Sequence, residues 1–559
     1  MVGKLMRYLG KEVGGLHEAA YLLAFFTFLS QILALVRDRL FAHEFGAGVV
    51  LDVYYASFRV PDIIFASVAS LVSISVLVPL MIDYAKKGRE EECRLVDSIF
   101  SFFFLLIVGV SFVAFVCAPL LLRWIFPLLM TGENGTVLVT SMRIILLSPI
   151  LLGLSNFYAS IMQVRGRFVT YALAPILYNI GIIIGALVFF PIFGQVGLAC
   201  GVVLGALFHM VLQIPYLLGQ KLFPRFFLSF DRSIVRTVMS LSVYRTIGLS
   251  STHIALISLM SFAGAFAVGS IAIFNFAWNL QSVPLAIVGV SYSMALFPLI
   301  ARLYSAGDRS GFIRETAMAA RHIIFWSLPV MVMFIVLRAQ IIRTILGSGE
   351  FSWTDTRLTA AALALFTVSL LAQSLILLFT RSYYATGNTR TPLILNVSAS
   401  ILVIASAWFF QSLFSTSAFF KDFFESLLRV TDLSGTAVLA LPLGFSIAML
   451  VSLFAFWFLF ERDFSGFTRP VSATFFQSFS ASIIGGFVSY LSLNMSSHLF
   501  NLTTVAGVFF QGLTAGLTGI IVIIAVLLLL KNQEIVEIWK AFHRKIWKSK
   551  VIVSESESL

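Results

Sequence analysis

Apolar residues run through the chain in blocks of about 20, the length a helix needs to cross the hydrocarbon of a bilayer, with short charge-bearing segments between them. The blocks predict fourteen membrane helices, at 20–44, 52–82, 98–122, 136–161, 169–190, 196–218, 237–262, 269–300, 322–345, 357–380, 392–412, 436–460, 474–495 and 503–530. Two blocks are interrupted by charge. The first is apolar from Ala19 to Val36, meets Arg37, Asp38 and Arg39, and then turns apolar again. The second opens with Asp52 and carries Arg59, Pro61 and Asp62 within SFRVPDIIF. A charged side chain at the bilayer centre costs roughly 2.5–3.5 kcal/mol on insertion scales, so such residues face a cavity or a partner. Arg59 and Asp62 are i,i+3 neighbours on a helix. Pro61 between them weakens that helix, which a membrane protein tolerates where backbone lines a cavity. The short turn EFGAGVVL joins the two blocks as an antiparallel pair. Arg37, Asp38, Arg39, Asp52, Arg59 and Asp62 are therefore expected around a polar, water-filled cavity.

Composition agrees. Of 559 residues 59% are hydrophobic and 11% charged, against about 25% charged in an ordinary soluble domain. The fold class is an all-α polytopic membrane protein. The cations are unevenly placed: 27 of the 38 Lys and Arg fall in the terminal segments and alternate loops on one side of the predicted spans. Only Arg123, Arg343, Arg357, Lys421 and Arg429 fall in loops on the other, where KDFFESLLRVTD (421–432) reads as an outer loop. The positive-inside rule then places both termini in the cytoplasm. Six cations remain within spans: Arg37, Arg39, Arg59, Arg143, Arg245 and Arg338. Arg143 and Arg338 are expected to snorkel to headgroups.

Residues 1–19 have scattered charge and no small-residue cleavage site, and read as a retained amphipathic lead-in. The basic tail, 531–559, contains KAFHRKIWKSK. After a last membrane helix such a segment is expected on anionic lipid, each cation contributing about 1 kcal/mol, and not on nucleic acid. Three cysteines form no disulfide framework, and the seven histidines show no HxxxH or HxxE spacing. No metal, cofactor or enzymatic chemistry is expected. Glycines in GALVFF and IIGGF mark close helix packing.

Faint internal echoes organise the spans. VSISVLVPLMIDYAKKG (72–88) and SYSMALFPLIARLYSAG (291–307) both place a Pro-Leu pair nine residues before a glycine. YASIMQVRGRF (158–168) and YATGNTRTP (384–392) both close a helix with a basic loop. These predict parallel six-helix repeats at 20–218 and 237–460, joined by a linker at 219–236 and surrounding a central site, as in rocking transporters. Helices 474–530 are extra. Glu44–Leu51 and FAGAFAV (262–268) would begin equivalent hairpins and approach one another when the outer side closes.

VRDRLFAHEFGAG followed by DVYYASFRVPD resembles the opening of the MurJ (MviN-type) lipid II flippases, within the multidrug/oligosaccharidyl-lipid/polysaccharide exporter superfamily. So do SNFYASIMQVRGRFVTYALAPILYNI (155–180), PLAIVGVSYSMALFPLIARL (284–303), RTILGSGEFSWTDTRLTAAAL (343–363) and TRSYYATGNTRTP (380–392). The resemblance implies a bacterial inner-membrane protein that moves a polyprenyl-diphosphate-linked peptidoglycan precursor from the inner to the outer leaflet. It implies a cationic central cavity for the headgroup and a groove at the last two helices for the lipid tail. Arginine forks match phosphate oxygens, and Arg37, Asp38, Arg39, Asp52, Arg59 and Arg245 are the expected substrate-binding set. Asp62 and Asn279 are expected at a gate or coupling site, in a protein working as a monomer.

The chain departs from the family pattern at several cations. Gln31 stands where members carry a first-helix arginine, Phe65 and Ala66 replace a double arginine, and Ser70 and Leu71 replace an acid-glycine pair. Asn279, in FAWNLQSVP, replaces the arginine of an Ala-Asp-Arg motif. Either Arg39, Arg59 and Arg245 compensate or the substrate is another lipid-linked glycan or amphiphile. An ion-coupled exporter of small organic cations would favour acids, and the cavity offers more arginine than acid. A non-transporting scaffold is a further alternative. Arg37 itself has three open roles: membrane anchor, structural partner of an acid, or phosphate ligand.

Overall fold

The computed structural model describes residues 16–71, 74–164, 169–219, 223–227 and 230–537. Most of the expected lead-in and the tail beyond 537 lie outside this set. The described chain is helical, with no strand among the described residues, and helices follow the apolar blocks. Eleven are long and apolar enough to cross a membrane. The pair Trp353–Thr367 and Leu370–Ala385, bent by 42° at its break, is apolar enough to make a twelfth when taken together. The other two predicted spans, 20–44 and 52–82, are the helix Leu16–Phe45 and the broken series Val49–Ser57, Arg59–Leu71 and Ile74–Lys87. These are the two that charge interrupts. The segment read as an outer loop is instead largely helix, Ala418–Leu428.

The chain divides into two compact units. One comprises 1–283, 345–366 and 388–449, and the other 284–344, 367–387 and 450–559. In the first, helices Val169–Ile184 and Gln195–Val211 meet along glycines: a Cβ on Gly181 would lie 2.2 Å from Gly205 Cα, and one on Gly185 2.6 Å from Gly201 Cα. This is the backbone approach that GALVFF predicts. Pro119, inside the helix Arg89–Ile125, has no N–H for the carbonyl of Phe115. Arg143 Nε donates to that carbonyl at 3.2 Å, with its guanidinium 4.9 Å from the Phe115 ring centre. Arg143, expected to be an anchor, therefore satisfies the carbonyl that Pro119 leaves open in a continuous helix.

In the second unit, Phe325 and Met333 of helix Arg309–Val336 pack against Ala481, Ile523 and Leu527 of the last two helices. The chain then turns back. Glu534, fully buried, accepts from Arg321 Nε at 2.5 Å and Thr474 Oγ1 at 3.1 Å, and Asn532 donates to Gln477 at 2.8 Å. Residues 531–537, expected to begin the lipid-bound tail, dock on protein. A buried carboxylate needs a partner of opposite charge, and Arg321 supplies it.

Candidate functional site

The charged residues of the first two blocks all lie in the first unit, but they separate into distinct sets. In the first set, Arg37 donates to Asp38 Oδ1 through Nε at 3.0 Å and Nη2 at 2.7 Å, and to Asn179 Oδ1 through Nη1 at 3.0 Å. Asp38 is 3% exposed, and its Oδ2 accepts from Asn279 Nδ2 at 3.0 Å. Asn179 is held in turn by donating to the carbonyl of Pro175 at 3.1 Å. Helices Leu16–Phe45, Val169–Ile184 and Ser270–Leu285 thus meet at one ion pair, Val169–Ile184 through Arg37 and Ser270–Leu285 through Asp38.

The second set forms where the helix breaks. Pro61 has no N–H for the carbonyl of Ser57, the last residue of its helix. Arg59 opens the next helix and its Nε caps the Tyr55 carbonyl at 3.2 Å. Arg59 Nη2 donates to Asn275 Oδ1 at 2.8 Å, and Nη1 lies 3.7 Å from Asp62 Oδ2. The Asp62 side chain is 43% exposed, against 13% for Arg59 and 4% for Asp38. This ion pair is longer than a hydrogen bond and partly open, whereas Arg37–Asp38 is tight and closed. Tyr55 is buried next to these groups, and its hydroxyl has no hydrogen-bond partner among the described residues.

Asp52 belongs to neither set. Its carboxylate, 4% exposed, accepts from the backbone N–H of Gly269 at 2.6 Å and of Ala272 at 2.9 Å. It caps the N-terminus of the helix Ser270–Leu285, where unpaired N–H groups and the helix dipole favour negative charge. Arg39 Nη1 donates to the carbonyl of Ile345 at 3.1 Å, where the chain enters the turn 346–352. Arg245 lies on the helix Arg232–Gly264, with its side chain outside the described residues.

Asp52 belongs to a sealed end of the unit. Gly269, at φ +89°, lies so near the turn 45–48 that a Cβ would stand 2.1 Å from the carbonyl oxygen of Ala47. Gly349, at φ +58°, would meet His43 O at 2.2 Å, and Glu350 N–H donates to that same oxygen at 2.9 Å. The contact is made by Gly269, the residue after the segment 262–268, against Ala47 in the turn within Glu44–Leu51.

Sequence reading misses Asn179, Asn275 and Tyr55. Asn179 and Asn275 are each the one amide of an apolar stretch (LYNIGIII, IAIFNFAW), and Tyr55 is one of two adjacent tyrosines in DVYYAS. The available signal is that a lone amide in hydrocarbon needs a partner from another helix. Asn279 reads in sequence as a lost arginine, yet it still engages the first-helix acid. Among the described residues no group of three His, Cys, Asp or Glu side chains could hold a metal ion.

Residues 41–515 match the family described as Lipid II flippase MurJ. A probable lipid II flippase MurJ of Buchnera aphidicola is 27% identical over 375 residues, covering 66% of this chain and 73% of the relative. The corresponding Vibrio cholerae protein is 26% identical over 399 residues, covering 69% and 76%. The lipid II flippase MurJ of Burkholderia cenocepacia is 24% identical over 403 residues, covering 69% and 77%. Among solved structures, a lipid II flippase MurJ in an inward closed conformation superposes with a TM-score of 0.72 at 22% identity, over 94% of this chain and all of that one. An inward-facing MATE-family multidrug transporter superposes at 0.64 with 16% identity, over 78% and 96%. At these identities the superpositions establish the shared fold, and the match over 41–515 establishes the lineage: the chain belongs to the lipid II flippase MurJ family.

Proposed function

We propose that this chain is a transporter, not an enzyme, that carries lipid II from the inner to the outer leaflet of the bacterial inner membrane by alternating access. The observation that carries this reading is the family match over residues 41–515. The chain's own geometry supports a division of labour. Arg37 is committed to Asp38 and Asn179, so with Asp38, which Asn279 engages, it acts first as a strut between three helices. Arg59 is the better diphosphate ligand: at 3.7 Å from a partly exposed Asp62, it exchanges a carboxylate for a phosphate oxygen with little loss. The Tyr55 hydroxyl beside it offers a further donor. Arg245 adds charge to the same half of the chain. The side rich in Lys and Arg faces the cytoplasm, with both termini. The end sealed by Asp52 and Gly269 is then the outer one, and the headgroup enters from inside. The lipid tail runs along the last two helices, the basic tail beyond residue 537 rests on anionic lipid, and the protein works as a monomer.

Complementation of a bacterium depleted of its own lipid II flippase tests this, paired with vesicles in which the exposure of labelled lipid II is followed. Growth and transfer of lipid II are expected. Normal insertion with no growth and no lipid II transfer would overturn the substrate, and transfer of a different polyprenyl diphosphate would name its replacement.

A further inference from the structure

The helix Ala418–Leu428, AFFKDFFESLL, joins the span Arg390–Thr416 to the span Thr436–Asp463. Ser417 caps it, its Oγ accepting from Phe420 N–H at 3.3 Å. At 3.6 residues per turn its apolar residues fill two adjacent stripes. Phe420, Phe424 and Leu428 form one stripe, which is packed: the Phe420 ring centre lies 5.9 Å from Phe410, 5.4 Å from Phe414 and 4.8 Å from Phe424. Phe419, Phe423 and Leu427 form the other, and they are 83%, 53% and 59% exposed. Beyond them on the same side come Asp422 and Ser426, both exposed. On the opposite side Lys421 lies 3.8 Å from a buried Glu425, which accepts from Thr436 Oγ1 at 2.5 Å.

The apolar arc is thus twice as wide as the protein beneath it covers. The open half continues an existing surface: Ile401, Trp408 and Phe409 of the preceding span are exposed, and one residue, Ser417, separates that span from this helix. What covers the exposed side of a membrane span is lipid. A short helix with three bulky apolar residues open, charge on the flank, and a span at either end has the pattern of a helix lying in the plane of the bilayer surface.

We propose that Ala418–Leu428 is an interfacial anchor whose ligand is the phospholipid surface, with Phe419, Phe423 and Leu427 among the upper acyl chains and Asp422 and Ser426 in water. The anchor is also tied to the sealed end. Arg429, at φ 61°, stops the helix, and Val430 N–H returns to the Glu425 carbonyl at 2.8 Å. Asp432 then takes both Nη atoms of Arg357 at 2.6 Å. A Cβ at Gly435 would lie 3.5 Å from Ala267 Cβ, in the turn that meets Ala47. The depth of the anchor in the membrane therefore fixes the depth of the closure. The proposal holds whatever the chain transports.

The test uses the full chain in phosphatidylcholine–phosphatidylglycerol vesicles, with Cys93, Cys117 and Cys200 changed to Ser. An environment-sensitive fluorophore is attached at Phe423→Cys or, separately, at Asp422→Cys. Nitroxide on the fifth acyl carbon of added lipid should quench the label at 423, with nitroxide on the twelfth carbon and aqueous iodide both weaker. The label at 422 should be quenched by iodide. Equal iodide quenching at both positions would overturn the proposal by placing the helix in water. Strongest quenching from the twelfth carbon would overturn it by placing the helix deep. Shielding of 423 from iodide and from both nitroxides would overturn it in favour of a protein partner or a second copy.

Discussion

Asn279 Nδ2 donates to Asp38 Oδ2 at 3.0 Å across 241 residues of sequence. The position that departs from the family's arginine still serves the first-helix acid, with a neutral amide in place of a cation. Asp38 consequently depends on Arg37 for its charge balance. Asn279→Ala leaves one oxygen of a buried carboxylate unpaired, a loss of about 1–3 kcal/mol. Lower thermal stability of the purified protein and slower lipid II transfer are expected. Asn279→Asp, which sets a second acid against Asp38, should be worse in both assays. A silent Asn279→Ala would mean that Asp38 is satisfied by other means.

Lysine substitutions separate strut from ligand. Lysine keeps the charge and loses the planar fork, so Arg37→Lys cannot hold Asp38 and Asn179 together and should lower thermal stability as well as transfer. Arg59→Lys, which cannot serve the Tyr55 carbonyl and Asn275 together, should cost about one hydrogen bond of stability, roughly 1 kcal/mol, and weaken headgroup binding well beyond that. Arg143→Lys keeps a donor for the Phe115 carbonyl and should change neither. Binding measured with a soluble diphosphate headgroup analogue, beside melting curves, distinguishes the three.

The sealed end makes a steric prediction. Gly269→Ala adds a Cβ at 2.1 Å from the Ala47 carbonyl, on a backbone at φ +89°. The left-handed conformation alone costs about 1–2 kcal/mol, so the closed arrangement should lose occupancy. A cysteine at Ala47 should then react faster with a membrane-impermeant maleimide added from that side. Conversely, a disulfide between Ala47→Cys and Val268→Cys should stop transfer, and reduction should restore it. Transfer at the normal rate in a fully crosslinked sample would remove this contact from the cycle.

A pH prediction rests on Asp432, in the loop after the anchor helix. Hydrogen bonds from Arg357 hold its carboxyl below its ordinary value of 3.8. A carboxyl depressed in the folded state stabilises at pH values above its unfolded pKa, and that contribution disappears as pH falls through the folded pKa. The loop 429–435 should therefore be steady near neutrality and loosen only below about pH 4, the ordinary carboxylate range. Hydrogen exchange of this loop should accelerate in that window. Asp432→Asn should give fast exchange at all pH values and erase the step.

The spans are legible because a 20-residue apolar block admits few other readings. The charged pair Arg37–Asp38 is legible because charge in such a block demands an explanation. The partners of Asp52 and Arg39 are not legible in sequence because they are backbone groups, at Gly269, Ala272 and Ile345, and composition does not encode a backbone N–H or carbonyl hundreds of residues away. Asn179 and Asn275 go unread because an amide disturbs hydropathy little, although each must find a partner once buried. The helix Ala418–Leu428 passes for a loop because eleven residues are too few to span, and its amphipathic period shows only once a surface helix is considered there.

The two hydrogen bonds from Gly269 and Ala272 to Asp52 have a consequence for the transport cycle. A bond to an ionised group is worth about 1.5–3 kcal/mol net of what water supplies in exchange, so the pair together holds about 3–6 kcal/mol. Swinging a two-state equilibrium from 1:99 to 99:1 takes about 5.5 kcal/mol. A carboxylate on two amides is thus a detent of matching depth, deep enough to keep an idle molecule shut and shallow enough for a cargo that prefers the other state to trip it.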